Sequence, residues 1–172
     1  MADAQRYFFL NMIAAGVPGA SQKSGHVGWL ELDSWDFSMN QTADPNVGGG
    51  RPTKTAATGR FGFSIKHNGP SMFKLGAMGQ FISTAITFEA ERSGMSGAAP
   101  GAAPGTANLV YFQLVFTNAA ISHRSLSGDE GQKQEHIELV FETVAMTYKQ
   151  VVNGAPGSAV TKSYDAKSNR VI

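Results

Sequence analysis

Residues 28–40, GWLELDSWDFSMN, alternate apolar and polar side chains as a strand does, yet Leu30 and Leu32 share one parity while Trp35, Phe37 and Met39 share the other. Successive side chains of a strand point to opposite faces, so a change of parity means either a bulge or apolar contacts on both faces. The slip recurs in EHIELVFETVAMTYK, where Ile137, Leu139 and Phe141 have one parity and Val144, Met146 and Tyr148 the other. In NLVYFQLVFTNAAISH both faces are apolar, with Val110, Phe112, Leu114 and Phe116 on one and Leu109, Tyr111 and Val115 on the other. An isolated barrel with a wet exterior has little use for a second apolar face. The pattern therefore predicts cover from other protein.

Residues 6–13 form a first strand, closed by Gly16-Val17-Pro18-Gly19, and FGFSIKH places Phe61, Phe63 and Ile65 on one face. Asn68-Gly69-Pro70-Ser71 puts proline near the first turn of a short helix, MFKLGAMG, which Gly79 closes. Between Phe81 and Arg92, Ile86, Phe88 and Ala90 oppose Thr87, Glu89 and Glu91. SLSGDEGQKQ and Asn153–Gly157 read as turns, and AVTKSYDAK as a last strand. Residues 41–58 and 94–106 are rich in Gly and Pro and lack periodicity, which predicts two long exposed loops, the second carrying a near-tandem GAAP repeat. About seven or more antiparallel strands with one short α-helix predict a mainly β fold, a closed or nearly closed β-barrel in a single domain over residues 1–172.

Composition narrows the partners. With 14 Lys and Arg against 13 Asp and Glu, the net charge of +1 gives no general attraction to nucleic acid or anionic lipid. Charged residues are 16% of the chain, below the roughly 25% of an average soluble domain, as expected if part of the exterior is covered. Without cysteine there is no disulfide framework, thiolate metal site or cysteine nucleophile, which fits a cytoplasmic origin. The opening MADAQRYFFLNMIAAGVPGASQ does not read as a signal peptide: Arg6 alone is basic, Asn11 interrupts the apolar run, and Asp3 stands where positive charge is wanted. No segment approaches the roughly 18 apolar residues of a membrane helix, so no membrane insertion is predicted.

Catalytic and cofactor chemistry finds little support. In GGGRPTKT, residues 48–55, Thr53 and not glycine precedes Lys54, and no helix pattern follows, so a phosphate-cradling loop is not predicted. His26, His67, His123 and His136 are isolated and read as surface or interface histidines, although His136 and Glu138 share a strand face. His123 with Ser122 or Ser125 sits on one strand end, where nucleophile and base do not align, and GMSGA lacks the last glycine of a nucleophile elbow. Glu89 and Glu91, next to Arg92, read as a solvated face and not as paired catalytic carboxylates. Asn40-Gln41-Thr42 fits a glycosylation sequon but lacks a secretory context. Trp29 and Trp35 read as structural. Neither an enzyme nor a cofactor is expected.

The order of four segments is distinctive: YFFLNMIAAGVPG at the start; HVGWLELDSWDFSMN leading to a glycine-rich loop; FSIKHNGPSMFKLGAMG; and IELVFETVAMTYK followed by SYDAKSNR. In this the chain resembles the haemolysin-coregulated protein (Hcp) family, the tube proteins of bacterial type VI secretion systems, which are similar in fold to phage tail-tube proteins. The resemblance implies a homo-hexameric ring that stacks ring on ring, with a spike protein at the tube tip, a contractile sheath around it and small protein effectors in the lumen. It further implies a protein that is cytoplasmic before firing and then exported without a cleavable signal peptide. On this reading the loop at 41–58 contacts the next ring through Asp44, Asn46, Gly48, Gly49, Gly50, Arg51 and Lys54. Trp29, Leu30, Leu32, Trp35, Phe37, Phe61, Phe63, Phe112, Phe116, Phe141 and Tyr148 then fill the barrel or meet a neighbouring subunit. Phe37 stands where many relatives carry a second tryptophan, the GAAPGAAPG insert is unusually long, and the chain does not look like a toxin-fused member. The competing expectation is a monomeric barrel that holds a small apolar ligand or a carbohydrate.

Overall fold

A computed structural model describes residues 6–40, 43–44, 53–54, 58–66, 69–92, 109–129, 132–152, 155–168 and 170–171. Its elements are β1 (Arg6–Asn11), β2 (Leu30–Glu31), β3 (Ser34–Asn40), β4 (Ala43–Asp44), β5 (Thr53–Lys54), β6 (Thr58–Lys66), α1 (Pro70–Met78), β7 (Ile86–Arg92), β8 (Leu109–Asp129), β9 (Gln132–Val152), β10 (Ala155–Asp165) and β11 (Arg170–Val171). All strand pairing is antiparallel. β1 lies between β2 and β7, β7 pairs with β8, and β8 pairs with β9 along most of its length. The other edge of β9 is shared: β6 takes Gln134–Val140, and β10 takes the stretch from Thr143 onward. β3 pairs with β6, and Leu32 and Asp33 join β2 to β3 while donating to the Phe8 and Ser64 carbonyls, each at 2.9 Å. The ladder thus returns to its start and forms a flattened barrel, with β10 and β11 as a wing.

The parity changes fall where strands pass from one wall of this barrel to the other. Leu30 and Leu32 are buried while β2 pairs with β1; after the turn at Asp33, Trp35 and Phe37 pack on the same core from β3. Opposite them, β8 and β9 turn together. Phe116 pairs with Val144 on one side of that corner and Ala119 with Phe141 on the other, and all four side chains are buried. Asn118 lies between with φ +48°, the left-handed conformation that Asn tolerates better than other side-chain-bearing residues. Its Nδ2 donates to Glu142 Oε2 at 2.8 Å, and the Thr117 and Thr143 hydroxyls are hydrogen-bonded to each other. A bend that advances the chain by an odd number of residues returns the apolar row to the inside. The two parities in these strands therefore serve one core, and do not require two covered faces.

That core is aromatic. Phe61, Phe63, Phe88 and Phe116 are wholly buried; Phe61 lies 5.1 Å from Phe88 and 5.0 Å from Phe116 between ring centroids, and Trp35 lies 4.7 Å from Phe88. Gly59 lets Phe141 cross its strand, since a Cβ there would fall 2.2 Å from the Phe141 ring. α1 starts with proline in its first turn, ends at Gly79 in the left-handed conformation, and buries Met72.

Several segments depart from the sequence-based expectation: the first strand, expected over 6–13, ends at Asn11 and is followed by a 3-10 turn at Ile13–Ala15, and of the turn expected at Asn153–Gly157, Ala155, Pro156 and Gly157 belong to β10. Residues 125–134, expected as a polar turn, continue the β8–β9 ladder to Asp129 and Gln132: the hairpin runs past the barrel into solvent, where a strand has no apolar side to show. Within 41–58, expected to lack regular structure, β4 and β5 form a two-residue ladder, which needs only backbone groups and leaves no periodicity in sequence. The strand expected from Phe81 starts at Ile86, preceded by a single bridge between Ile82 and Ala119. The GAAPGAAPG insert lies outside the described residues.

Two stability outcomes follow. Phe88→Ala is expected to lower the unfolding free energy by about 3–5 kcal/mol in urea titration. Asn118→Val is expected to cost about 1–2 kcal/mol by forcing a β-branched residue into the left-handed region, while Asn118→Gly stays close to wild type.

Candidate assembly interface

Because the interior is filled, the surfaces left for function are external. The wall made of β3, β6 and the Gln134–Val140 part of β9 presents small and polar side chains outward. Pairing across it aligns Ser34 with Ser64 and His136, and Asp36 with Gly62 and Glu138. Beyond β9, β8 adds Ser125 opposite His136 and His123 opposite Glu138. Ser64 Oγ lies 3.1 Å from His136 Nδ1, and Arg60 Nη1 donates to Glu138 Oε2 at 3.1 Å. Gly62 leaves room for the Asp36 carboxylate, whose Oδ1 would lie 2.3 Å from a Cβ at that position.

The Ser64, His136 and Glu138 side chains fall in the order of a hydrolytic triad without its geometry. His136 Nε2 is 3.8 Å from Glu138 Oε1, beyond hydrogen-bond reach, and Ser64 is buried at the sheet surface. Glu138 is engaged by Arg60 and is not a spare metal ligand beside His136. Among the described residues no group of three or more His, Cys, Asp or Glu side chains is gathered to hold a metal.

This wall has two ends whose strands pair on one side only. Among the described residues β3 pairs with β6 alone, and β8 beyond Ala119 pairs with β9 alone. Beside the β8 end lies a groove of about 210 Å³ lined by Phe73, Gly76, Ala77 and the Ile121–Arg124 segment. Phe73, in its lining, is exposed at 60% of its full accessibility, and Phe81, next to the Ile82–Ala119 bridge, at 68%. A second apolar pair, Tyr148 on β9 opposite Val160 on β10, is also exposed. At the end of the β10–β11 wing, hydrogen bonds from the Ser168 hydroxyl and the Ser168 and Lys167 backbone amides hold the Asp165 carboxyl below the usual carboxylate range.

The residues singled out in sequence are distributed as follows. Leu30, Leu32, Phe61, Phe63, Phe116 and Phe141 are buried in the core, and Trp35, Phe37 and Phe112 are half-buried against it. Tyr148 is exposed. Trp29 lies outside the core, edge-on to His26 at 4.6 Å. The backbones of Asp44 and Lys54 lie in β4 and β5; Asn46, Gly48, Gly49, Gly50 and Arg51 are outside the described residues.

Two expectations are overturned on the outer face of β1 and β7. Glu91, expected to be solvated, is buried and lies 2.5 Å from Lys23 Nζ; Glu89 meets His26 Nε2 at 2.7 Å and accepts from Gln113 Nε2 at 2.7 Å. His26, expected at a surface or interface, is buried with its ring stacked on Phe9 at 4.3 Å. Residues 18–29 cross this face and cover it. A covering segment without regular structure has no periodic signal, so alternation alone left the two glutamates facing water.

Comparison with known proteins places this geometry. The family model described as "Type VI secretion system effector, Hcp" matches residues 9–148. The structure is similar to Hcp1 from Salmonella typhimurium, with a TM-score of 0.72, 25% identity, and 97% of this chain and 99% of that chain covered. Hcp2 from the same organism is similar over 95% of this chain and 98% of its own, with 26% identity and a TM-score of 0.62. A protein described as a type six secretion system protein shares the fold at 16% identity and a TM-score of 0.74, with 98% and 99% covered. None of the curated proteins matches the chain in sequence.

The close approach at Gly62 gives a test of the polar wall. Gly62→Ala is expected to destabilise the protein, and much less so in an Asp36→Ala background, with a coupling of about 1 kcal/mol in a double-mutant cycle read by chemical denaturation.

Proposed function

The chain belongs to the Hcp family of type VI secretion proteins, and from that premise we propose that it is a tube subunit that assembles into hexameric rings, which stack into a hollow tube. The observation that carries this reading is the combination of a packed aromatic interior with a polar wall whose two end strands, among the described residues, pair on one side only. The aromatic packing among the described core residues disfavours a ligand site inside the barrel, and with it the monomeric binding module. Joining the β8 end of one copy to the β3 end of the next is a head-to-tail contact, and such contacts close into a ring when the rotation between copies divides a full turn. The exposed apolar side chains beside the β8 end, Phe73 and Phe81, would be covered by the neighbour in that arrangement.

The polar wall suits the lumen. Serine, glycine and charges already engaged in pairs offer a passing protein few apolar footholds, and the short side chains leave the bore open. Small effectors occupy this lumen on the proposed reading, a spike protein caps the tube, and contraction of a surrounding sheath drives the tube out of the cell. Residues 41–58, including Arg51 and Lys54, are proposed to contact the next ring, where glycines permit close backbone approach and the cations offer charge-assisted hydrogen bonds. No helix among the described residues is long and apolar enough to cross a membrane.

Native mass spectrometry of the purified chain tests the ring. A dominant species of six copies is expected, and Phe81→Asp is expected to shift it toward single copies while the unfolding free energy changes by less than about 0.5 kcal/mol. A single copy at every concentration would favour the binding module instead.

A further inference from the structure

Between Val17 and Leu30, both buried in the core, the chain leaves the barrel and crosses the outer face of β1 and β7. It closes on itself at its neck. Gly19 N donates to the Gly28 carbonyl at 2.7 Å, Gly28 N to the Ser21 carbonyl at 2.8 Å, and Ser21 N to the Trp29 carbonyl at 3.2 Å. The two passes come so close that a Cβ at Gly19 would lie 2.0 Å from the Trp29 carbonyl oxygen, and Gly28 takes φ +77° where the chain returns. Compact loops with joined ends and their own internal bonds behave as units.

The attachment of this loop to the sheet is of another kind. Two side chains tie it to the sheet by polar contacts: His26 lies 2.7 Å from Glu89 and 3.4 Å from Glu91, and Lys23 lies 2.5 Å from Glu91. Lys23 Nζ also stands 3.7 Å from the centre of the Tyr7 ring, and the His26 ring lies flat on Phe9. Arg92, the next charge along β7, sits over Tyr111 at 5.7 Å. Beneath the loop Phe9 is 1% exposed, and within the cluster His26 and Glu91 are 3% and 4% exposed. Removing one member of a buried polar cluster leaves its partner desolvated and unpaired. Such a cluster holds or releases abruptly.

We propose that residues 18–29 form a strap that opens and closes on the outer face of β1 and β7 as one unit, independently of the barrel, with His26 and Lys23 latched on Glu89 and Glu91. The closed strap seals Phe9 and Tyr7; the open strap bares them as an apolar strip beside two carboxylates. Opening leaves the barrel ladder intact, because the barrel strands pair with one another, whereas the neck bonds of the strap lose the backing of the sheet and open to water.

Hydrogen exchange of the full chain, read by mass spectrometry, tests this. In His26→Ala the amides of residues 19–29 are expected to exchange about tenfold faster or more, with β8 and β9 unchanged. His26→Gln, whose side-chain nitrogen still donates to Glu89, is expected to recover part of the protection. Lys23→Met gives an independent reading from a partly exposed position should His26→Ala fail to fold. Faster exchange in strap and barrel together would overturn the proposal by placing the strap within the global folding unit. Unchanged exchange of the strap in the folded variants would overturn it by showing that the cluster is no latch.

Discussion

One requirement organises this fold: an aromatic core between two walls must stay dry at the corners, where strands cross from one wall to the other. A strand that bends without changing its residue count would turn its apolar row outward. Asp33 and Asn118 mark the places where the chain avoids this. At the first, a two-strand break lets Trp35 take over the inside from Leu32; at the second, a left-handed residue lets Ala119 take over from Phe116 while Phe141 hands over to Val144 across the ladder. The aromatic contacts among Phe61, Phe88, Phe116 and Trp35 depend on both handovers.

The corners also shape the exterior. Because β9 exchanges β6 for β10 at the second corner, one wall ends in β3 and the projecting part of β8, while the other ends in the β10–β11 wing. These edges and the apolar side chains near them are what a neighbouring copy would meet. Packing the aromatics inward leaves the polar wall in contact with water, and in the proposed tube it would face a transported protein. In the proposed ring the low charge content would have a physical place: a surface buried between copies cannot carry many unpaired charges without a desolvation cost.

Much of the fold was legible in sequence. Alternation located β6 and the Ile86–Arg92 part of β7, Pro70 and Gly79 bracketed the helix, and the order of segments pointed to the family. The parity slips were visible but ambiguous, since a corner and a two-faced strand give the same alternation pattern, and only the change of pairing partner separates them. The projecting hairpin was mistaken for a turn because Ser125, Ser127 and Lys133 lie beyond the core, where a strand carries no apolar signature. The Lys23, His26, Glu89 and Glu91 cluster was invisible for a related reason. Burial there is conferred by an irregular segment more than 60 residues away in sequence, with His26 and Glu89 separated by 63 positions.

The central claim is that this barrel is built to be joined at the ends of its polar wall. A three-dimensional electron-microscopy reconstruction of the purified assembly tests it most directly. The account predicts six copies, with the β3 edge of each next to the projecting β8 edge of its neighbour, and Asp36, Ser64 and His136 facing the central opening. A ring whose opening is lined by Phe73, Phe81 and Tyr148, or copies in contact only through the barrel face beneath residues 18–29, would contradict it.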